Sequence, residues 1–378
     1  MIKIIIAFYH KFINFFIIFN NINLINSKKL KFIFYSENKS YQKYSYQLIK
    51  LLARKYPDEV CYVSSDINDK IISFKIKNLF IGNNLLMKYF FTNIKAENLI
   101  LTLTDLDNHI IKKTKNIKRY IYFFHAPVST TKSYTAGAFD NYDMILCNGN
   151  YQIDEIRKRE FFQKNKKKEL IKSGYFYFDY LKENLNHQKI PNEILIAPSW
   201  NFNQENFMNK NIEIIIDEAL NKGFKVRYRP HPENFKRSKN ILDAYKKKFI
   251  NNDFILDDSA ENITSMENAK CLITDNSGIA IEYILLLKRP VLYFEDFQKI
   301  HNTEYKKFDD LIAIEDKIKD LFGYSFKKNE ISNLESIINN SISDFHNKDE
   351  EIQKFINDNF YNFGTTIKNF ENLLSKFS

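Results

Sequence analysis

The sequence predicts an α/β protein built from two successive parallel-sheet domains and closed by C-terminal helices. Three observations lead there. The chain has 378 residues, more than the ~250–300 at which a single hydrophobic core usually stops growing. Short apolar runs alternate with stretches of helical periodicity, the pattern of βαβ units. That pattern then restarts after Gly174.

Residues 29–35 (KLKFIFY) form the first strand candidate, 36–40 a polar turn and 41–54 a helix. Further strands are expected at 59–64, 74–80, 98–104, 119–124 and 143–147, with a helix at 151–159. In the second set, strands are expected at 193–197, 225–229, 254–256, 270–274 and 290–294, the last being the final clear strand. Helices are expected at 211–221, 263–268 and 279–287, and residues 329–378 read as helices. The domain division is therefore 1–28, an apolar N-terminal segment; 29–185; 186–328; and 329–378, with a hinge near 180–192.

Residues 2–19 are strongly apolar but are interrupted by Lys3, His10, Lys11 and Asn14. A spanning helix wants ~20 mostly apolar residues, and no small-residue cleavage site follows. A helix that packs on the protein or lies in a membrane interface is favoured over a true anchor. The formal net charge is +10. The lysines are dispersed, and there is no zinc-finger spacing, RNP-like signature or basic heptad region, so no nucleic-acid partner is expected. Cys61, Cys147 and Cys271 lie far apart in apolar stretches and form no CxxC pair. They read as small buried hydrophobes in a reducing compartment.

In an open parallel sheet, ligands bind beyond the carboxyl ends of the strands. Three polar clusters fall at such places. His125-Ala126-Pro127 ends the strand RYIYFF. Its imidazole titrates near neutrality and suits proton abstraction from a hydroxyl. Arg229-Pro230-His231-Pro232 ends another strand, and arginine beside histidine suits a diphosphate. Thr274-Asp275-Asn276-Ser277-Gly278 opens the helix that carries Glu282, and helix N-termini favour phosphate. Each cluster also has a plainer reading, as a satisfied turn or an ordinary helix cap. The chain contains no GxG, which excludes the dinucleotide fingerprint, and no P-loop. The Asp105-Leu106-Asp107 triplet reads as a loop, and the histidine spacings give no zinc site. No GxSxG elbow occurs.

Taken in order, these clusters resemble the CDP-glycerol glycerophosphotransferase family, which builds teichoic-acid-like polyol-phosphate polymers on bacterial membranes. The resemblance runs through FYSENKSYQKYSYQLIKLL, FFHAPVSTTKSYTAGAFDNYDMILCNG and SGYFYFDYL, and is strongest in ILIAPSW, RPHPENF and CLITDNSGIAIEYILLLKRPVLYF. It implies a GT-B fold, two Rossmann-like domains facing each other across a cleft, with the donor bound in the C-terminal half. By resemblance His125 is the base for the acceptor hydroxyl, and His231 meets the donor diphosphate. Residues Thr274, Asp275, Asn276, Ser277 and Gly278 match the phosphate-binding turn, and Glu282 stands where related GT-B enzymes hold the ribose. Two departures matter. The family usually reads His-Gly-Thr-Pro at the first histidine, and Tyr and Ser where Asn276 and Gly278 stand here.

The expected reaction moves a polyol phosphate, glycerol phosphate first, from a CDP-activated donor to a hydroxyl of a membrane-linked glycan or polyol phosphate. The CDP-polyol is a substrate, and neither cofactor nor metal is expected. The partners are that donor, the acceptor and an anionic membrane surface, reached from the cytoplasmic face as a peripheral protein. A glycosyltransferase using a nucleotide sugar on the same fold is the first alternative, and a non-catalytic assembly partner at the membrane surface the second.

Overall fold

The computed structural model describes residues 2–28, 30–73, 75–104, 106–108, 111–200, 211–250, 253–275, 277–295 and 300–377, with side chains described from residue 13 onward. The chain divides into two compact units. One comprises Met1–His125, Ala136–Tyr180 and Tyr361–Ser378; the other comprises Ala126–Thr135 and Leu181–Phe360.

In the first unit, the apolar runs become β1 (Phe32–Ser36), β2 (Val60–Ser64), β3 (Lys77–Phe80), β4 (Ala96–Leu101), β5 (Ile117–Phe123), β6 (Met144–Cys147) and β7 (Glu169–Lys172). They form one sheet in the order β3-β2-β1-β4-β5-β6-β7, with every pairing parallel. The connecting helices are α1 (Ile2–Asn26), α2 (Lys39–Lys55), α3 (Leu85–Asn93), α4 (Asn150–Gln163) and α5 (Phe176–Asn184), the last of which runs on past Tyr180 into the second unit. α2 begins where Asn38 accepts from the Ser40 amide, and it ends on Arg54 and Lys55, cap and charges that match the helix dipole. Its Leu48 and Leu52 pack on Phe32, Phe34 and Tyr62 of the sheet.

The second unit repeats the plan with β8 (Glu193–Ile196), β9 (Lys225–Tyr228), β10 (Phe254–Leu256), β11 (Ala269–Thr274), β12 (Val291–Phe294) and β13 (Gly323–Phe326). Their order is β10-β9-β8-β11-β12-β13, again all parallel. The helices are α6 (Ile212–Asn221), α7 (Pro232–Arg237), α8 (Lys239–Lys248), α9 (Ile263–Asn268), α10 (Gly278–Leu287), α11 (Ile314–Phe322), α12 (Leu334–Phe345) and α13 (Asp349–Asn359). α6 buries Ile212, Ile215, Ile216 and Ala219, the spacing of one helical face, against Ile194, Ile196 and Val226. The chain ends with α14 (Thr366–Glu371), back in the first unit. There Asp179 accepts from the amides of Thr366 and Ile367 and so caps α14.

Both sheets follow the doubly wound order, so each has a switch point where connections reverse direction: β1/β4 in the first and β8/β11 in the second. Two strands escape the sequence pattern. β7 is an edge strand with only Ile171 fully buried, and β13 follows the strand expected to be last, pairing with β12.

Candidate functional site

The second unit's switch point carries the third sequence cluster. β11 ends at Thr274, whose hydroxyl donates to the Ala197 carbonyl at the end of β8 (2.6 Å). The buried Asp275 carboxylate accepts from the Ser199 amide (2.8 Å) and the Ser199 hydroxyl (2.6 Å). These bonds lock the carboxyl ends of β8 and β11 together. Thr274 and Asp275 thus shape the turn, while Ser277 stands at the N-cap of α10 with no capping bond from its side chain. An α-helix leaves its first N–H groups without intrahelical partners, and its dipole favours an anion there. Asn276 lies outside the described residues. Glu282, on the same helix, is buried and accepts from the Asn262 side-chain amide (3.2 Å).

The second cluster follows β9, on the other side of β8. Pro230 and Pro232 bracket His231, which caps α7: its Nδ1 accepts from the Glu233 amide at 3.2 Å. An accepting Nδ1 places the neutral ring's proton on Nε2. Arg229 is more constrained than sequence reasoning anticipates. Its guanidinium donates to Asp257 (3.0 Å), to the Ser259 hydroxyl (2.9 Å) and to the Ser259 carbonyl (2.9 Å). Burial pushes the Asp257 carboxyl up, but hydrogen bonds from Ser259 and Ser265 and the Arg229 charge outweigh it and hold its pKa below the usual range. Arg229 therefore braces the turn after β10 with the donors described for it.

His125 follows β5 in the first unit. The Tyr41 ring meets its imidazole edge-on at 5.2 Å, and the Tyr44 ring lies at 5.9 Å. Tyr175 donates to the His125 carbonyl (3.1 Å). Both α2 tyrosines come from the helix that packs on the sheet, so the aromatic wall is set by the core. Burial pushes the imidazole pKa down to about 4, so the ring is neutral at physiological pH.

The chain crosses into the second unit immediately after His125. The Ala126–Thr135 segment is held there by two adjacent acids at the start of α11. Buried Glu315 accepts from the Ser129 amide (2.9 Å), the Ser129 hydroxyl (2.9 Å) and the Ser133 hydroxyl (2.6 Å). Lys132, whose side chain is almost fully buried, pairs with the partly exposed Asp316. The same segment packs on the start of α10: a β-carbon on Gly278 would lie 3.3 Å from Ala126 Cβ and 3.5 Å from Val128 Cγ1.

Within the second unit, then, the structure joins residues that follow His125 to the 274–278 turn, and places the His231 cluster one strand away from it. Sequence reasoning missed Ser199, Asp257, Glu315 and Asp316. The polar run Ser129-Thr130-Thr131 was a visible signal, but its acidic partners lie more than 180 residues further along the chain. Among the described residues, no group of three or more His, Cys, Asp or Glu is arranged to hold a metal ion.

The family model described as CDP-glycerol:poly(glycerophosphate) glycerophosphotransferase matches residues 18–363. No curated protein matches the chain. Among solved structures, the wall teichoic acid polymerase TagF is similar with a TM-score of 0.58 and 18% identity, over 92% of this chain and 88% of that one. The Methanocaldococcus jannaschii UDP-GlcNAc 2-epimerase, solved with UDP-GlcNAc and UDP, is similar with a TM-score of 0.59 and 14% identity, over 92% and 100%. A putative UDP-N-acetylglucosamine 2-epimerase from Listeria monocytogenes gives 0.58 and 11%, over 93% and 97%. At such identities the structural likenesses establish the shared GT-B-type fold; the family match carries the activity. The chain belongs to the CDP-glycerol:poly(glycerophosphate) glycerophosphotransferase family, and is a CDP-glycerol glycerophosphotransferase-like transferase.

Proposed function

We propose that this chain transfers glycerol phosphate from CDP-glycerol to a hydroxyl of a membrane-linked glycan or polyol-phosphate acceptor, working as a peripheral protein at the cytoplasmic face of the membrane. The observation that carries the reading is the turn at the β8/β11 switch point. There Asp275 and Thr274 are spent on structure, and the Ser277 hydroxyl and the α10 N-terminus are presented together.

In this reading Ser277, Gly278 and the α10 amides hold the donor diphosphate, with Asn276 beside them. His231, its proton on Nε2, donates to a diphosphate oxygen, and Arg229 keeps the neighbouring turn in place. Glu282 serves the ribose side through the helix it shares. His125 takes the proton of the acceptor hydroxyl. The hydroxyl oxygen then forms a bond to the β-phosphorus, the bond from that phosphorus to the bridging oxygen breaks, and CMP leaves with the bonding pair. Little covalent chemistry falls to the protein, so rate comes from positioning and charge stabilisation.

Product analysis tests this. Incubation of the full chain with CDP-glycerol and a glycerol-phosphate oligomer should release CMP in step with chain extension. His125→Ala and His231→Ala should each cut the rate by ~10²-fold or more. Release of a nucleoside diphosphate from a nucleotide sugar instead would assign glycosyl transfer.

A further inference from the structure

We infer that the outward face of α1, with the neighbouring surface of α3, is a docking surface for an anionic lipid bilayer, on which α1 lies flat. The inference deepens the proposed function, since it rests on the reading that the acceptor is carried on a membrane.

The inner face of α1 is fixed to the protein. Ile18, Ile22 and Ile25 are buried, at the i, i+4, i+7 spacing of one helical stripe. Gly82 has a φ of +68°, and a β-carbon there would lie 3.2 Å from Ile18 Cδ1 and 3.1 Å from Leu86 Cβ. Asn21 donates to the Phe80 carbonyl at the end of β3 (2.8 Å). Asn26 donates to the Asn93 carbonyl (2.9 Å) and accepts from the Lys95 amide (2.8 Å) at the end of α3. Over residues 18–26 the helix is thus tied to β3 and α3.

Around the rest of the helix over residues 13–19, every residue but Asn14 is apolar too. Phe16 is 49% exposed, Phe19 43% and Phe15 41%, with Ile13 and Ile17 also exposed. A cluster of exposed large apolar side chains of this kind is normally covered by something. Phe15 lies against Tyr89 of α3, and α3 itself exposes Leu85 and Lys88. α1 is held on one side by its own protein while Phe15, Phe16 and Phe19 remain exposed on it, an arrangement that suits a helix lying in the interface.

Charge identifies the occupant. Residues 1–36 and 70–96, which supply α1, β3 and α3, contain no Asp or Glu. In sequence, Lys3 and Lys11 fall within α1, Lys77 within β3 and Lys88 within α3, and Lys28 and Lys95 follow α1 and α3. Exposed aromatic side chains on elements that carry lysines and no carboxylates fit anionic headgroups above acyl chains.

Vesicle flotation of the full chain tests the assignment, using phosphatidylcholine vesicles with and without phosphatidylglycerol. The wild type should float with the anionic vesicles and much less with the neutral ones. Phe15→Ser, Phe16→Ser and Phe19→Ser combined should lower partitioning ~10-fold or more, while CMP release with a soluble acceptor is retained. A second variant guards against misfolding. Phe16→Cys can be labelled with an environment-sensitive fluorophore, because Cys61, Cys147 and Cys271 are buried, and its emission should rise on anionic vesicles. Failure of the wild type to float, equal flotation of the triple variant, or unchanged emission would overturn the inference. So would a dimer that the triple variant turns into monomers with no vesicle dependence, which would make a second copy the occupant. If the wild type docks through this face but does not use CDP-glycerol, the surface stands and the donor assignment falls.

Discussion

Gly278 and Ala126 are matched in size: a β-carbon on Gly278 would sit 3.3 Å from the β-carbon of Ala126. That is tighter than ordinary van der Waals contact, so a larger residue at one position needs a smaller one at the other. The glycine is required by this approach and not by backbone conformation, since it opens α10 with ordinary helical geometry. It also gives a physical account of one half of each departure from the family pattern, Ala126 and Gly278. Where the family usually has Gly after the histidine and Ser at the turn, this chain has Ala126 and Gly278, so the small residue has changed sides.

A double-mutant cycle tests the match. Gly278→Ser alone should destabilise the protein by ~1–2 kcal/mol through overpacking. Ala126→Gly alone should cost ~0.5–1 kcal/mol through backbone entropy. The double variant should recover ~1 kcal/mol of the sum, because the residues touch. Urea denaturation checks this, and strict additivity would contradict it.

Glu315 should prove a major structural anchor for residues 126–135. Its carboxylate accepts three hydrogen bonds from buried or half-buried donors. Glu315→Ala leaves those donors unsatisfied, and a loss of ~3 kcal/mol is expected in urea denaturation. Glu315→Gln keeps one acceptor oxygen and should lose markedly less. Equal losses for both variants would mean that volume, not hydrogen bonding, matters at this position.

The lowered pKa of His125 has a signed consequence. The folded-state value, about 4, lies below the ~6.5 of an unfolded chain. The unfolded state therefore binds the proton more tightly, and this group's stabilising contribution is present above ~6.5 and lost as pH falls towards about 4. Wild-type stability should fall across that window more steeply than that of His125→Asn. In kinetics, the acid limb of kcat/KM attributable to His125 should lie near 4 and not near 6.5. A stability-matched limb at 6.5 would mean that the ring is not desolvated in solution.

Much of the fold was legible because two signals dominate it. Buried parallel strands read as continuous apolar runs, as in AKCLIT of β11 and VLYF of β12, and helices such as α6 repeat at 3.6 residues. What escaped lies at sheet edges and in mixed segments. β7 carries Glu169 and Lys172 around one fully buried residue, and β13 begins with Gly323. α5 is an aromatic run (FYFDYL) without clear periodicity. In the candidate site, polar residues at strand ends were visible because the β8/β11 switch point requires a turn there. Their partners were not. The clasp of Ser199 on Asp275, the hold of Glu315 on Ser129 and the brace of Arg229 on Asp257 join residues distant in sequence. Arg229 shows the cost of that blindness: its type suggests a diphosphate clamp, while its geometry describes a strut.

The central claim is that the α10 N-terminus and His231 together receive a cytidine diphosphate donor. Calorimetric titration of the full chain with CDP-glycerol, CDP, UDP and UDP-GlcNAc tests it most directly, repeated with Ser277→Ala and His231→Ala. The account predicts selective binding of the cytidine nucleotides, weakened ~10-fold or more by each substitution, as expected for hydrogen bonds to a charged group. A preference for uridine nucleotides, or cytidine binding untouched by both substitutions, would contradict it.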